Sequence, residues 1–204
     1  MDMFDTIKDQ LVLIQAYDTI SEERKAELQP FIDYIQSKHE NGQAINLNFI
    51  CTHNSRRSHL AQIWAQCAAY FYNIPEVYCY SGGTETTALF PKVVEVLQGQ
   101  GFEISKIADG NNPIYAIKMD EKSPPLIGFS KKYDHPFNPA SDFAAIMTCD
   151  HADETCPFIA GANVRIPLRY EDPKASDGTP QQTQVYWDRS VEIAREMFYA
   201  FSRL

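Results

Sequence analysis

The chain has 204 residues, 44% of them hydrophobic and 22% charged, with 9 Gly and 12 Pro. Those proportions describe a globular protein long enough to bury a core, and they exclude collagen-like, low-complexity and intrinsically disordered classes. With 18 Lys+Arg against 27 Asp+Glu, the formal net charge is −9. That is the wrong sign for binding nucleic acid over a whole surface, because phosphate neutralisation carries most non-specific affinity. No apolar run reaches the roughly 18 to 20 residues that cross a bilayer, and the opening MDMFDTIKDQ is too acidic and polar for a secretory signal. Neither nucleic acid nor membrane is expected as a partner. The cysteines Cys51, Cys67, Cys79, Cys149 and Cys156 are too few, too scattered and odd in number for a disulfide scaffold, so a reducing cytoplasm is expected. There a cysteine is either packing material or chemistry.

Residues from about 3 to 38 read as two helices: Phe4, Ile7, Leu11 and Ile14 keep helical spacing, and Ser21 with Glu22 and Glu23 opens the second. Asn41-Gly42 marks a turn. Residues 45–50 (INLNFI) form a strand that runs into Cys51, and the Ala-rich stretch 58–72 forms a helix. Residues 77–81 form a short strand followed by a turn at SGGTE, and a helix over 91–98 stops at Gly99. Segments 114–119 and 126–132 flank Ser123-Pro124-Pro125 as a small hairpin. Strands follow at 143–148, ending at Cys149, and at 163–168, before a long amphipathic helix over 182–202. Strands alternating with helices predict an α/β fold with a parallel sheet flanked by helices. Ligands of such sheets sit beyond the carboxyl ends of the strands, where both Cys51 and Cys149 fall.

The central motif is Cys51-Thr52-His53-Asn54-Ser55-Arg56-Arg57-Ser58. As a bare pattern, a cysteine six positions before an arginine is common. Here a strand precedes it and a helix follows, so the backbone N–H groups of Thr52 to Arg56 can converge on a tetrahedral oxyanion at the positive end of the helix. Thiolate is the nucleophilic form of cysteine, and a helix N-terminus with a guanidinium favours it. Arg57 offers a planar fork for two oxygens, Ser58 a hydroxyl for the sulfur, and Asn54 an amide that pins the loop. The bland alternative is a buried cysteine beside two solvated arginines. Nothing in the pattern calls for a metal or another cofactor.

CTHNSRRS after a strand resembles the phosphate-binding loop of low-molecular-weight protein tyrosine phosphatases and of the thioredoxin-coupled arsenate reductases that share their fold. The resemblance runs through Ser81-Gly82-Gly83-Thr84-Glu85 and Pro91-Lys92 to the last helix, with a poor match near 110–140. It implies a central four-stranded parallel sheet in a domain over residues 44–204, preceded by a helical extension over 1–43. TCDHADETCP resembles the redox segment of the arsenate reductases. This implies that Cys51 attacks arsenate, Cys149 attacks Cys51, and Cys156 then takes Cys149 into a disulfide for thioredoxin to reduce. Two packed thiols are the competing reading, and their spacing is unlike that of structural zinc sites. Asp172-Pro173 stands at the family's acid position, making Asp172 the general acid, with Glu171 a neighbour able to substitute.

His53 departs from the family by replacing a small Gly, Arg56 adds a second cation, and Lys174-Ala175-Ser176 replaces the aromatics that follow the acid in tyrosine phosphatases. His39, His59 and His135 belong to no constellation. The leading expectation is an arsenate reductase acting on a small oxyanion, with thioredoxin as partner. The first alternative is a phosphatase that cleaves phosphate esters through a phosphocysteine at Cys51, and the second is a non-catalytic oxyanion-binding module.

Overall fold

In the computed structural model the described residues are 3–155 and 158–204. In chain order the elements are α1 (Asp5–Lys8), α2 (Leu11–Ile14), a 3-10 turn (Tyr17–Thr19), α3 (Glu22–Glu40), β1 (Ile45–Cys51), α4 (Arg57–Phe71), β2 (Val77–Gly83), α5 (Pro91–Gly99) and β3 (Glu103–Ala108). They continue with β4 (Ile114–Lys118), β5 (Leu126–Gly128), β6 (Phe143–Met147), α6 (Asp150–Thr155), β7 (Ala162–Pro167), a second 3-10 turn (Pro173–Ser176) and α7 (Gln182–Phe201).

β2, β1, β6 and β7 lie side by side in that order as the expected four-stranded parallel sheet. β6 is buried at every position and β1 at all but one, the pattern of strands covered on both faces. Trp64 of α4 is fully buried, packs edge-on to Phe102 and Phe198, and donates its indole N–H to Ser190 of α7. Ile7, Ile14, Leu28, Phe31 and Ile35 join the same core as Phe49, Trp64 and Phe198.

Several elements differ from expectation. The first helix is two separate turns and a 3-10 turn. Short helices are marginal alone, so their form is set by docking: Ile7 and Ile14 are buried, and the Phe4 N–H bonds to the Met119 carbonyl. Ser81-Gly82-Gly83 continues β2 rather than turning, because the backbone of residues 131–133 lies directly against it. The Gly83 N–H reaches the Lys131 carbonyl, and a Cβ on Gly82 would come within 2.4 Å of the Tyr133 Cα. β3 pairs antiparallel with β4, and β4 with β5, forming a second, three-stranded sheet. Only its β4–β5 hairpin was predicted. The polar segment after Cys149 forms a short helix, α6.

α3 is tied to the core by charge as well as apolar packing. Ser21 caps it by accepting the Arg24 N–H. Arg24 donates to both carboxylate oxygens of Glu196 on α7 at 2.7 and 2.8 Å and lies over the Tyr170 ring. Glu196 is buried, and a buried carboxylate stripped of its partner is costly. Arg24→Ala is therefore expected to destabilise the protein by about 3 kcal/mol, read as a lower urea midpoint with an unchanged slope.

Candidate active site

β1 ends at Cys51 and α4 begins at Arg57, so the intervening loop lies at the carboxyl edge of the sheet. Its peptide orientation follows from where its carbonyls go. The Cys51 carbonyl accepts from the Thr84 N–H at 3.2 Å, and the Thr52 carbonyl from the Glu85 N–H at 2.8 Å. The His53 carbonyl accepts from Thr87 Oγ1 and Ser130 Oγ. The Asn54 carbonyl lies 3.0 Å from His59 Nε2, and the Ser55 carbonyl accepts from the Phe90 N–H. By contrast, none of the backbone N–H groups from Thr52 to Arg56 donates to an acceptor among the described residues. Unpaired backbone donors are uncommon in a folded protein. A run of them at the start of a helix is the donor set of an anion cradle.

Asn54 holds this loop. It adopts φ 44, a left-handed backbone that Asn tolerates better than most residues. Its Oδ1 accepts the Lys131 N–H at 2.9 Å, and its Nδ2 donates to Ser58 Oγ at 2.9 Å. The Ser58 oxygen therefore already accepts, which leaves its proton for Cys51 Sγ at 3.1 Å. Gly83 lets the neighbouring strand approach, since a Cβ there would lie 2.7 Å from the Thr52 carbonyl oxygen and 2.8 Å from the Asn54 nitrogen.

Arg57 Nη2 donates to Asp172 Oδ2 at 2.6 Å and Nη1 to the Tyr170 carbonyl at 2.9 Å, while its Nε is buried without a partner among the described residues. Asp172 also accepts the Lys174 N–H. Arg57 and Asp172, with Cys51, His53, Ser55 and Arg56, frame a cavity of about 10 Å³, on the order of one water molecule. A wider groove of about 330 Å³ adjoins it, sharing His53, Ser55 and Arg56 and extending to Phe90 and Lys174. The Arg56 guanidinium is held by Asp177 and Tyr186 and lies 4.1 Å from the Phe90 ring centre, so its charge is answered within the protein. The half-exposed His53 side chain sits 3.4 Å from Glu85 at the rim. Glu171 pairs with Arg189 and does not line the cavity.

Met147 of β6 is in register with Ile50 of β1, and the Thr148 N–H bonds to the Ile50 carbonyl. That alignment carries Cys149 to the loop, where its sulfur lies 3.5 Å from Thr52 Oγ1 and accepts the Ala152 N–H at 3.4 Å. Cys149 is buried, in one apolar cluster with Cys51. Arg165 and Arg169 of the β7 region pair with Asp153, fastening α6. Cys156 lies outside the described residues. Cys67 and Cys79 are packed in the core, where burial pushes their thiols well above the ordinary range.

Two residues behind the loop escaped sequence reasoning. His59 is fully buried with Nδ1 3.3 Å from Ser81 Oγ, and burial, then the Lys131 charge, push it down to about 3. Lys131 is also buried, and burial pushes it down to about 7. A histidine directly after the motif's serine was the available signal for the first. A lysine in a polar stretch gave none for the second.

No protein-family model matches the chain. The arsenate reductase of Halalkalibacterium halodurans is 25% identical over 134 residues, which are 66% of this chain and 78% of that protein. The arsenate reductase of Staphylococcus aureus is 43% identical over 58 residues, 28% of this chain and 40% of that protein. The low-molecular-weight protein tyrosine phosphatase of T. tengcongensis has a similar fold, with a TM-score of 0.50 at 14% identity, covering 79% of this chain and 100% of that one. With its cysteine loop at the edge of that sheet, the chain has the fold of the low-molecular-weight protein tyrosine phosphatases and is similar in sequence to arsenate reductases.

Proposed function

We propose that this protein is a thioredoxin-coupled arsenate reductase. The reading is carried by one observation: a second thiol, Cys149, is held by strand register against the loop that begins at Cys51. A phosphatase needs no such group.

In the proposed sequence, arsenate enters the cradle and its oxygens take up the unpaired loop N–H groups. The Arg57 guanidinium turns from Asp172 and the Tyr170 carbonyl to the oxyanion, so the cavity of about 10 Å³ must open. Cys51 Sγ, whose negative charge the Ser58 hydroxyl stabilises, bonds to arsenic, and Asp172 protonates the departing hydroxide to water. The Cys149 thiolate then attacks Cys51 Sγ. The S–As bond breaks with its electron pair on arsenic, leaving arsenite and a Cys51–Cys149 disulfide. Cys156 attacks Cys149 and expels the Cys51 thiolate, and the resulting Cys149–Cys156 disulfide is reduced by a thioredoxin dithiol. Two electrons pass from thioredoxin to arsenic.

The alternative of a phosphate-ester hydrolase draws on the Arg57–Asp172 pair at the cavity, which equips the site for a phosphocysteine. Both readings share the first half of the chemistry and part at the second thiol. Cys149→Ser is expected to abolish thioredoxin-dependent arsenate turnover while keeping aryl phosphate cleavage within about twofold, an interaction difference made only after the first step. Full arsenate turnover by Cys149→Ser would defeat the reductase reading. Asp172→Ala is expected to lower aryl phosphate kcat by about 10²–10⁴, with an initial burst retained if water attack rather than cysteine attack becomes limiting.

A further inference from the structure

Lys131 is placed where few lysines are found. Its residue is 1% exposed, and no carboxylate lies within ion-pairing distance of it among the described residues. Its Nζ donates to Ser81 Oγ and to the Phe129 carbonyl, each at 3.4 Å, and lies 4.6 and 5.3 Å from the ring centres of Phe129 and Phe137. Buried lysines without acids are rare because desolvating an ammonium is costly. Those few weak partners answer the charge only in part.

The groups around it point one way. Ser81 Oγ accepts from Lys131, so its proton goes to His59 Nδ1 at 3.3 Å. His59 is neutral and carries one ring proton, which therefore sits on Nε2 and is donated to the Asn54 carbonyl at 3.0 Å. Donation to a carbonyl polarises its whole peptide and strengthens the N–H on the other side. That N–H belongs to Ser55, one of the unpaired donors of the cradle. Lys131 also fixes the loop through its backbone, since its N–H holds Asn54 Oδ1.

We infer that Lys131 is a buried cation that acts through Ser81 and His59 to strengthen the loop's hold on an anion, making anion affinity sensitive to the charge on Lys131. It touches neither sulfur nor substrate and is a positioning residue. The inference rests on the reading of residues 51–57 as an anion cradle and on nothing about arsenic. Few titratable groups face it: His59 from α4 is held neutral, β2 contributes Ser81, and the 129–137 segment contributes two phenyl rings, with His135 packed on Phe129. Burial holds Lys131 down to about 7. The cation is therefore present below about pH 7 and lost as pH rises through it, so its effect belongs to the acidic side.

Sulfate is the probe, because its charge is constant from about pH 5.5 to 9, and a Cys51→Ser background removes the titrating sulfur. In that background Lys131→Met keeps the side-chain length and the backbone bond to Asn54. It is expected to weaken sulfate binding by about three- to tenfold at pH 5.5, up to one unit of coupling, with the gap closing above pH 8. Ser81→Ala leaves the lysine in place but cuts the relay, and is expected to weaken binding at pH 5.5 as well. A Lys131→Met gap that is absent, or equal at every pH, would overturn the inference by leaving Lys131 as packing alone. Unchanged sulfate affinity in Ser81→Ala would overturn the route, and this variant decides the matter if Lys131→Met fails to fold. Sulfate failing to bind the Cys51→Ser parent would overturn the cradle itself. Loss of arsenate turnover with this sulfate pattern intact would count against the proposed reaction alone.

Discussion

The carbonyl oxygens from residue 51 to 55 all point outward, and each has a hydrogen-bond partner from outside the loop. Backbone donors and acceptors lie on opposite edges of each peptide plane, so bonding one edge outward turns the other inward. The cost of leaving those N–H groups unpaired is carried by the bonds on the far side. Those bonds come from three places: residues 84–90, Ser130, and His59 of α4. No single local sequence builds the site. It is assembled by everything packed around it, which is how a strained arrangement persists where chemistry is to be done.

The rest of the fold serves that assembly. The parallel register of β1 with β6 delivers Cys149 to the same edge as Cys51, following the rule that active groups of such sheets gather beyond their carboxyl ends. The stretch near 110–140, which matched the family poorly, backs the loop. Ser130 holds the His53 carbonyl, Lys131 holds the Asn54 amide, and Asn138 holds the Ser81 carbonyl. Gly82 and Gly83 lack the Cβ atoms that would keep this backing away.

What could be read in advance was what repeats or punctuates locally. β1, α4, β6 and α7 carry long apolar patterns, and the Cys51–Ser58 motif lies between a strand and a helix, so both were legible. β3 was not, because its residues are mostly exposed and give no alternation against a core. The single helical turns before residue 20 owe their form to docking rather than propensity. The segment after Cys149 is polar at Asp150, Asp153 and Glu154, yet Asp153 is buried against arginines that lie 12 and 16 residues further on. Ion pairs at that separation leave no trace in a local window. Lys131 was invisible for the same reason: nothing in its neighbours announces that Ser81 and two aromatic rings enclose it.

Arg57 connects the cradle to the far side of the molecule. Its guanidinium is satisfied by Asp172 and by the Tyr170 carbonyl, partners it would release in the proposed reaction. Tyr170 is itself held: Arg24 lies over its ring, donates to the adjacent Arg169 carbonyl and is anchored by Glu196. The backbone that offers an oxygen to Arg57 is thus fixed by α3, an element outside the stretch that resembles the family. A rigid acceptor gives the guanidinium one defined resting position. A mobile acceptor would let it follow solvent. The N-terminal helix therefore contributes to the site through the residues beside Asp172, although none of its own side chains lines the cavity.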